Sequence, residues 1–227
     1  MANQVFVFGA EGMLEQTLGN TFISNGDTVH HFRTADGLDT DTLAQQLEAH
    51  QPNVIILCPT WQGRGNFLSS TTAEWLGALE NNVETPVYIL KTLINYVYSG
   101  GKVDAIINLS HVAAGTPLRG LSALGTTLSA THVLVNMTAL ELASYGVRAN
   151  TVILGPQLDR LVIAKENMRR LEHDTPVEQD SLEAVATTCL MLASPAGKHL
   201  TGQTLDVSGG FLLTKAEGAS PFADVST

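Results

Sequence analysis

The sequence predicts an α/β fold in which a single parallel sheet is doubly wound, with helices on both faces. The first observation behind this is alternation: short β-branched or apolar runs are separated by longer segments of helical period. Parallel neighbours need crossover connections, and right-handed crossovers stack helices on each face of the sheet. The second is size. A chain of 227 residues, 44% of them hydrophobic, buries one substantial core and leaves no room for a second full domain. One domain over residues 1–215 is expected, with a mobile tail over 216–227 that is rich in small residues.

The elements follow in order. Residues 5–8 read as the first strand, 13–24 as a helix, 28–32 as a strand and 40–50 as a helix. A third strand is expected at 54–57, a long helix at 72–98, a strand at 105–109 and a helix at 121–145. Gly146 stops that helix, because glycine tolerates positive φ. A strand at 149–154, a helix at 181–192 and a last strand at 204–207 complete the series. Val133, Val135, Met137, Leu140 and Leu142 form an apolar set on the fourth helix, divided between core and an association face.

A formal charge of −10 repels phosphate backbones and anionic lipid surfaces, so neither nucleic acid nor membrane is an expected partner. Cys58 and Cys189 each sit in an apolar run and read as buried thiols, which favours a reducing compartment. The chain enters a strand at once and has no run of membrane-spanning length, so a cytoplasmic location is expected. The histidines at 30, 31, 50, 132, 173 and 199 show no metal-ligand spacing with acidic partners, and no metal is expected.

LTGQTLDVSGG at 200–210 and ALELASYGVRANTVILGP at 139–156 resemble the closing segments of short-chain dehydrogenase/reductases. EWLGALENNVETPVYILK resembles that family's central helix, INLSHVAAG its fifth strand and loop, and VFGAEGMLEQTLG its glycine turn. The resemblance covers nearly the whole chain and implies a Rossmann-type domain. Folds of this kind host many activities, so function rests on the site.

A dinucleotide turn uses three glycines, for the bend, for the approach of the pyrophosphate and for helix packing. The resemblance places Gly9, Gly12 and Glu15 there. Glu15 either opposes a pyrophosphate, with a repulsion of roughly 4 kcal/mol at about 4 Å, or faces solvent as a favourable first-turn acid. Arg33 closes the second strand where the family reads a ribose 2′-phosphate, and it equally suits an exposed surface. Cys58, Pro59, Thr60 and Trp61 replace the family's Asn-Asn-Ala-Gly, while Leu154, Gly155 and Asp159 stand in the nicotinamide region. NAD(P) binding is therefore expected to be weak or absent.

The resemblance also implies a Tyr-x-x-x-Lys pair, which falls on Leu124 and Leu128, and neither exchanges a proton. The serine position falls on His111, after Ser110, and Asn82 matches the asparagine that kinks the central helix. Asn82 serves either backbone groups at the kink or a relay water. His111 is either a base at the mouth of the site or a residue capping a strand. The helical segment 157–179, with Lys165, Arg169 and Arg170, is either a lid over an anionic ligand or a solvated surface.

The function expected is a noncatalytic structural or regulatory subunit of a hetero-oligomeric dehydrogenase acting on an acyl-CoA or acyl-carrier substrate. Its partner is an intact relative or a second copy. The resemblance supports this, because the family includes hetero-oligomeric ketoacyl-carrier-protein reductases and an aromatic-succinyl-CoA dehydrogenase. The alternative is a non-redox isomerase or lyase using His111, and a third option is a metabolite sensor.

Overall fold

The computed structural model describes residues 2–9, 12–34, 39–60, 67–118, 120–155 and 182–216. Strand β1 (Gln4–Gly9) is followed by α1 (Met13–Ser24), β2 (Thr28–Arg33), α2 (Thr40–His50) and β3 (Val54–Leu57). The central helix consists of α3 (Thr72–Leu79), a π-turn (Glu80–Glu84) and α4 (Thr85–Tyr98). Then come β4 (Ala105–His111), a 3₁₀ turn (Val112–Ala114), α5 (Ser122–Leu142) and β5 (Arg148–Leu154). The described residues end with α6 (Leu182–Ala193), β6 (Thr204–Val207) and α7 (Phe211–Ala216). The lid segment, Trp61, Asp159 and the tail from 217 lie outside the described residues.

Six parallel strands run in the order β2-β1-β3-β4-β5-β6. This is the doubly wound sheet the alternation predicts. The inner strands are apolar on both faces because both are covered. Phe6, Phe8, Ile55, Leu57 and Ile106 pack toward α2, α4 and α5. Val5, Val7, Val54, Ile56, Ile107 and Leu109 pack toward α1 and α6, where Leu14, Leu18 and Phe22 recur one helical turn apart. The edge strands β2 and β6 lack this continuous burial.

Three boundaries depart from expectation for physical reasons. β4 continues through Ser110 and His111, which pair with Ile153 and Leu154, so the ladder carries polar residues that an apolar pattern leaves out. The long helix contains a π-turn at 80–84, one residue too many for a regular α-helix. α5 ends at Leu142 in a 3₁₀ turn (Ala143–Tyr145), and Gly146 takes φ +77° as a left-handed cap. Both cysteines are buried. The apolar set on α5 divides: Val135 and Leu142 are core, whereas Val133, Met137 and Leu140 stand half or more exposed.

Candidate active site at the C-terminal edge of the sheet

Open α/β sheets place ligands at the carboxyl ends of their strands. Gly9 ends β1 there, and Gly12 is the N-cap of α1. Glu15, in the first turn, bends back so that Oε2 accepts a 2.8 Å hydrogen bond from the Gly12 N–H. Its Oε1 lies 2.6 Å from where a Cβ on Gly9 would be, and Cys58 Cβ lies 2.9 Å from that point on the β3 side. Any side chain at Gly9 would collide with both. The side chain of Glu15 is buried, so of its two readings the solvent-facing one is excluded. Burial, then the charge of Glu15 and then Cys189 push the Cys58 thiol well above its usual range. Arg33 is exposed at the end of β2, in register with Gly9 across the ladder.

A buried polar seam runs from the end of β3 to α5. Asn82 Oδ1 accepts from the Thr60 N–H at 3.0 Å and from Thr60 Oγ1 at 3.2 Å, while Nδ2 donates to Thr127 Oγ1 at 3.2 Å. The hydroxyl of Thr131, one turn along α5, donates to the Asn82 carbonyl. The π-turn leaves carbonyls without their usual helical donor, and this threonine supplies one. Asn82 therefore holds the kink and ties three elements together. Sequence reasoning found Asn82 and placed Thr60 after the third strand, but it missed their contact and both Thr127 and Thr131; the signal was two threonines four apart on the face of α5 that meets the kink.

Leu124 and Leu128 are 0% and 2% exposed and pack with Ala113 and Leu121. Gly125 lies between them, and a Cβ there would meet the Ala113 carbonyl oxygen at 2.6 Å, so α5 presses directly on the 3₁₀ turn after β4. The apolar cluster is dense at the point where the resemblance expects a phenol and an ammonium. Ser110, at the end of β4, is buried, with no hydrogen-bond partner for its hydroxyl among the described residues.

His111 corrects one expectation. It is fully buried rather than standing at an open mouth, and its Nδ1 accepts a 3.1 Å hydrogen bond from the Ala113 N–H, capping the 3₁₀ turn. A ring held with Nδ1 as acceptor carries its proton on Nε2 when neutral. The cap reading of His111 accounts for this geometry. A cavity of about 190 Å³ opens elsewhere, against Thr34, Asp39, Glu80, Glu84 and Tyr88, beside the edge that carries Arg33.

Residues 38–212 match a family model described as enoyl-(acyl carrier protein) reductase. An uncharacterized oxidoreductase of Mycobacterium tuberculosis is 32% identical over 152 residues, covering 63% of this chain and 56% of that protein. Pteridine reductase 1 of Leishmania tarentolae is 30% identical over 188 residues, covering 78% of this chain and 64% of the relative. The chain thus spans less than two thirds of the length of both. A (2S)-[(R)-hydroxy(phenyl)methyl]succinyl-CoA dehydrogenase subunit, BbsC of Thauera aromatica, is 26% identical over 212 residues, covering 91% of this chain and 84% of that one.

Among solved structures, a short-chain dehydrogenase/reductase family oxidoreductase from Burkholderia thailandensis superposes with TM-score 0.79 at 22% identity over 94% of each chain. ElxO with NADP bound gives 0.78 at 16%, over 94% of this chain and all (100%) of that one. A Leptospira borgpetersenii short-chain dehydrogenase with bound NAD+ gives 0.80 at 17%, over 93% of each.

The nicotinamide dinucleotides in these last two overturn the expectation that no such cofactor binds. The reason lies in where the contacts come from. A pyrophosphate is held largely by backbone N–H groups at a helix N-terminus, and side-chain replacement does not remove those, although Glu15 takes the one at Gly12. No helix among the described residues is long and apolar enough to cross a membrane.

Proposed function

Because this chain belongs to the short-chain dehydrogenase/reductase superfamily, we propose that it is a nicotinamide-binding subunit of a hetero-oligomeric dehydrogenase whose proton chemistry is supplied by a partner chain. The observation that carries the reading is the buried pair Leu124 and Leu128, aliphatic where a reductase needs an acid and the cation that tunes it. General acid-base groups contribute roughly 10² to 10⁴ in rate. Losing them in one chain is tolerable only if another chain provides them.

The glycine turn fits a dinucleotide in its framework: Gly9 and Gly12 would lie against the pyrophosphate, with Arg33 in reach of a ribose 2′-phosphate. When bound, the cofactor supplies a hydride carrier. The chain's own residues exclude water through Leu121, Leu124 and Leu128, and hold the floor of the site through Asn82 and Thr127. Exposed Val133, Met137 and Leu140 on α5 supply an apolar face for association. The BbsC subunit, similar over 91% of this chain, supports the subunit role and an acyl-CoA substrate, and the description of the matching family model supports an acyl-carrier one.

Native mass spectrometry of the chain isolated from its source, combined with thioester reduction assays, tests this. An attached intact dehydrogenase and no turnover by the lone chain with NADH or NADPH are expected. Robust reduction by the purified chain alone, or its isolation free of any such partner, would refute the subunit role.

A further inference from the structure

Glu15 occupies the turn that the proposed cofactor needs. Its Oε2 takes the Gly12 N–H at 2.8 Å, its Oε1 lies against Gly9, and the side chain is 96% buried at the positive end of α1 (4% exposed). Neither Gly9 nor Gly12 carries a side chain, and the Glu15 carboxylate lies 2.6 Å and 3.0 Å from where a Cβ would stand on each. Phosphate oxygens and this carboxylate compete for the same donor and the same helix-terminal field, and two anions cannot share them.

We propose that Glu15 is a built-in plug of the dinucleotide turn, so that cofactor entry is an exchange in which the carboxylate must swing out before the pyrophosphate can seat. Glu15 has rotatable side-chain bonds, and Gly12 loses nothing in the exchange, since one oxygen acceptor replaces another. The inference rests on the proposed nicotinamide binding. Breaking a hydrogen bond to a charged group corresponds to about ten- to a hundredfold in affinity. The plug thus sets how much cofactor is needed to convert the empty form.

Calorimetric titration of the wild-type chain, Glu15→Ala and Glu15→Gln with NADH and NADPH tests it, alongside amide NMR of Gly12 and thermal melts to verify folding. Glu15→Ala should tighten binding at least tenfold. Glu15→Gln, which keeps an acceptor for Gly12 but drops the charge, should fall between. In the wild type, cofactor should shift the Gly12 amide as its acceptor changes.

If wild type and both folded variants bind equally, with the Gly12 amide unmoved, the plug is wrong while the nicotinamide reading stands. Failure of wild type and both variants to bind at millimolar cofactor overturns the nicotinamide reading and the plug with it. If Glu15→Ala is too unstable to titrate, the Glu15→Gln comparison decides: unchanged affinity overturns the plug, and a tightening of several fold supports it.

Discussion

Replacing Asn82 with alanine removes three side-chain hydrogen bonds from the seam between β3, the π-turn and α5. The three are not equal. Thr127 Oγ1 also donates to the Leu124 carbonyl, and the Thr60 hydroxyl can rotate, but the Thr60 N–H has a fixed direction in a buried position. Orphaning one buried donor costs about 1–3 kcal/mol, and the two weaker bonds add about 0.5–1.5 kcal/mol each, so a loss of roughly 3 kcal/mol is expected. In a domain of this size that lowers Tm by roughly 6–12 °C. Urea unfolding of Asn82→Ala beside Asn136→Ala, whose side chain is exposed on α5, makes the comparison, the control staying within about 0.5 kcal/mol. A loss below about 1 kcal/mol for Asn82→Ala would mean that the kink does not depend on this amide.

Gly125→Ala should destabilise by about 2 kcal/mol or more in urea, despite alanine's helix-propensity advantage of about 1 kcal/mol, because the added Cβ meets the Ala113 carbonyl at 2.6 Å. Neutral or improved stability would show that α5 can slide away from the 3₁₀ turn. Leu128→Lys buries an unpaired charge among Ala113, Leu121 and Leu124 and should cost about 3 kcal/mol or more in the same assay; a folded, equally stable variant would show a wet path into the cluster.

Stability should also fall in mild acid. Burial, and then the nearby His50, hold His30 below its ordinary value, and burial does the same to His132. Between the folded and unfolded values the unfolded chain binds more protons, so this stability is complete above about pH 6.5 and is lost as pH falls through the folded values. Urea midpoints measured from pH 7.5 down to 5 check the sign, and His50→Gln should reduce the slope. A midpoint that rises on acidification would contradict it.

The apolar runs of the inner strands were legible because a sheet covered on both faces needs side chains of one kind throughout. The polar extension of β4 was not, since Ser110 and His111 owe their place to pairing with β5 and not to their own hydropathy. That pairing also carries His111 into the interior, where a sequence offers only a polar residue after a strand. The π-turn left no trace in the hydropathy of 80–84, because glutamate, asparagine and valine suit either helix type; the resemblance alone marked a kink, at Asn82. Glu15 was legible as an acid in a first turn, whereas its direction, back onto the Gly12 N–H and against Gly9, was not. The expectation of no cofactor weighed side-chain losses alone, whereas backbone N–H groups at a helix N-terminus, which no substitution removes, hold a pyrophosphate.

The wide turn at 80–84 carries one residue more than a regular α-helix needs and absorbs it locally, so α3 and α4 keep nearly the same phase on either side. Deleting one residue there would restore regular winding with Ile89, Leu93 and Tyr96 still against the sheet. A deletion within the first turn of α4 would instead rotate everything after it by about 100° and turn those side chains away. A change of length in this helix is therefore accommodated at the turn rather than in α4.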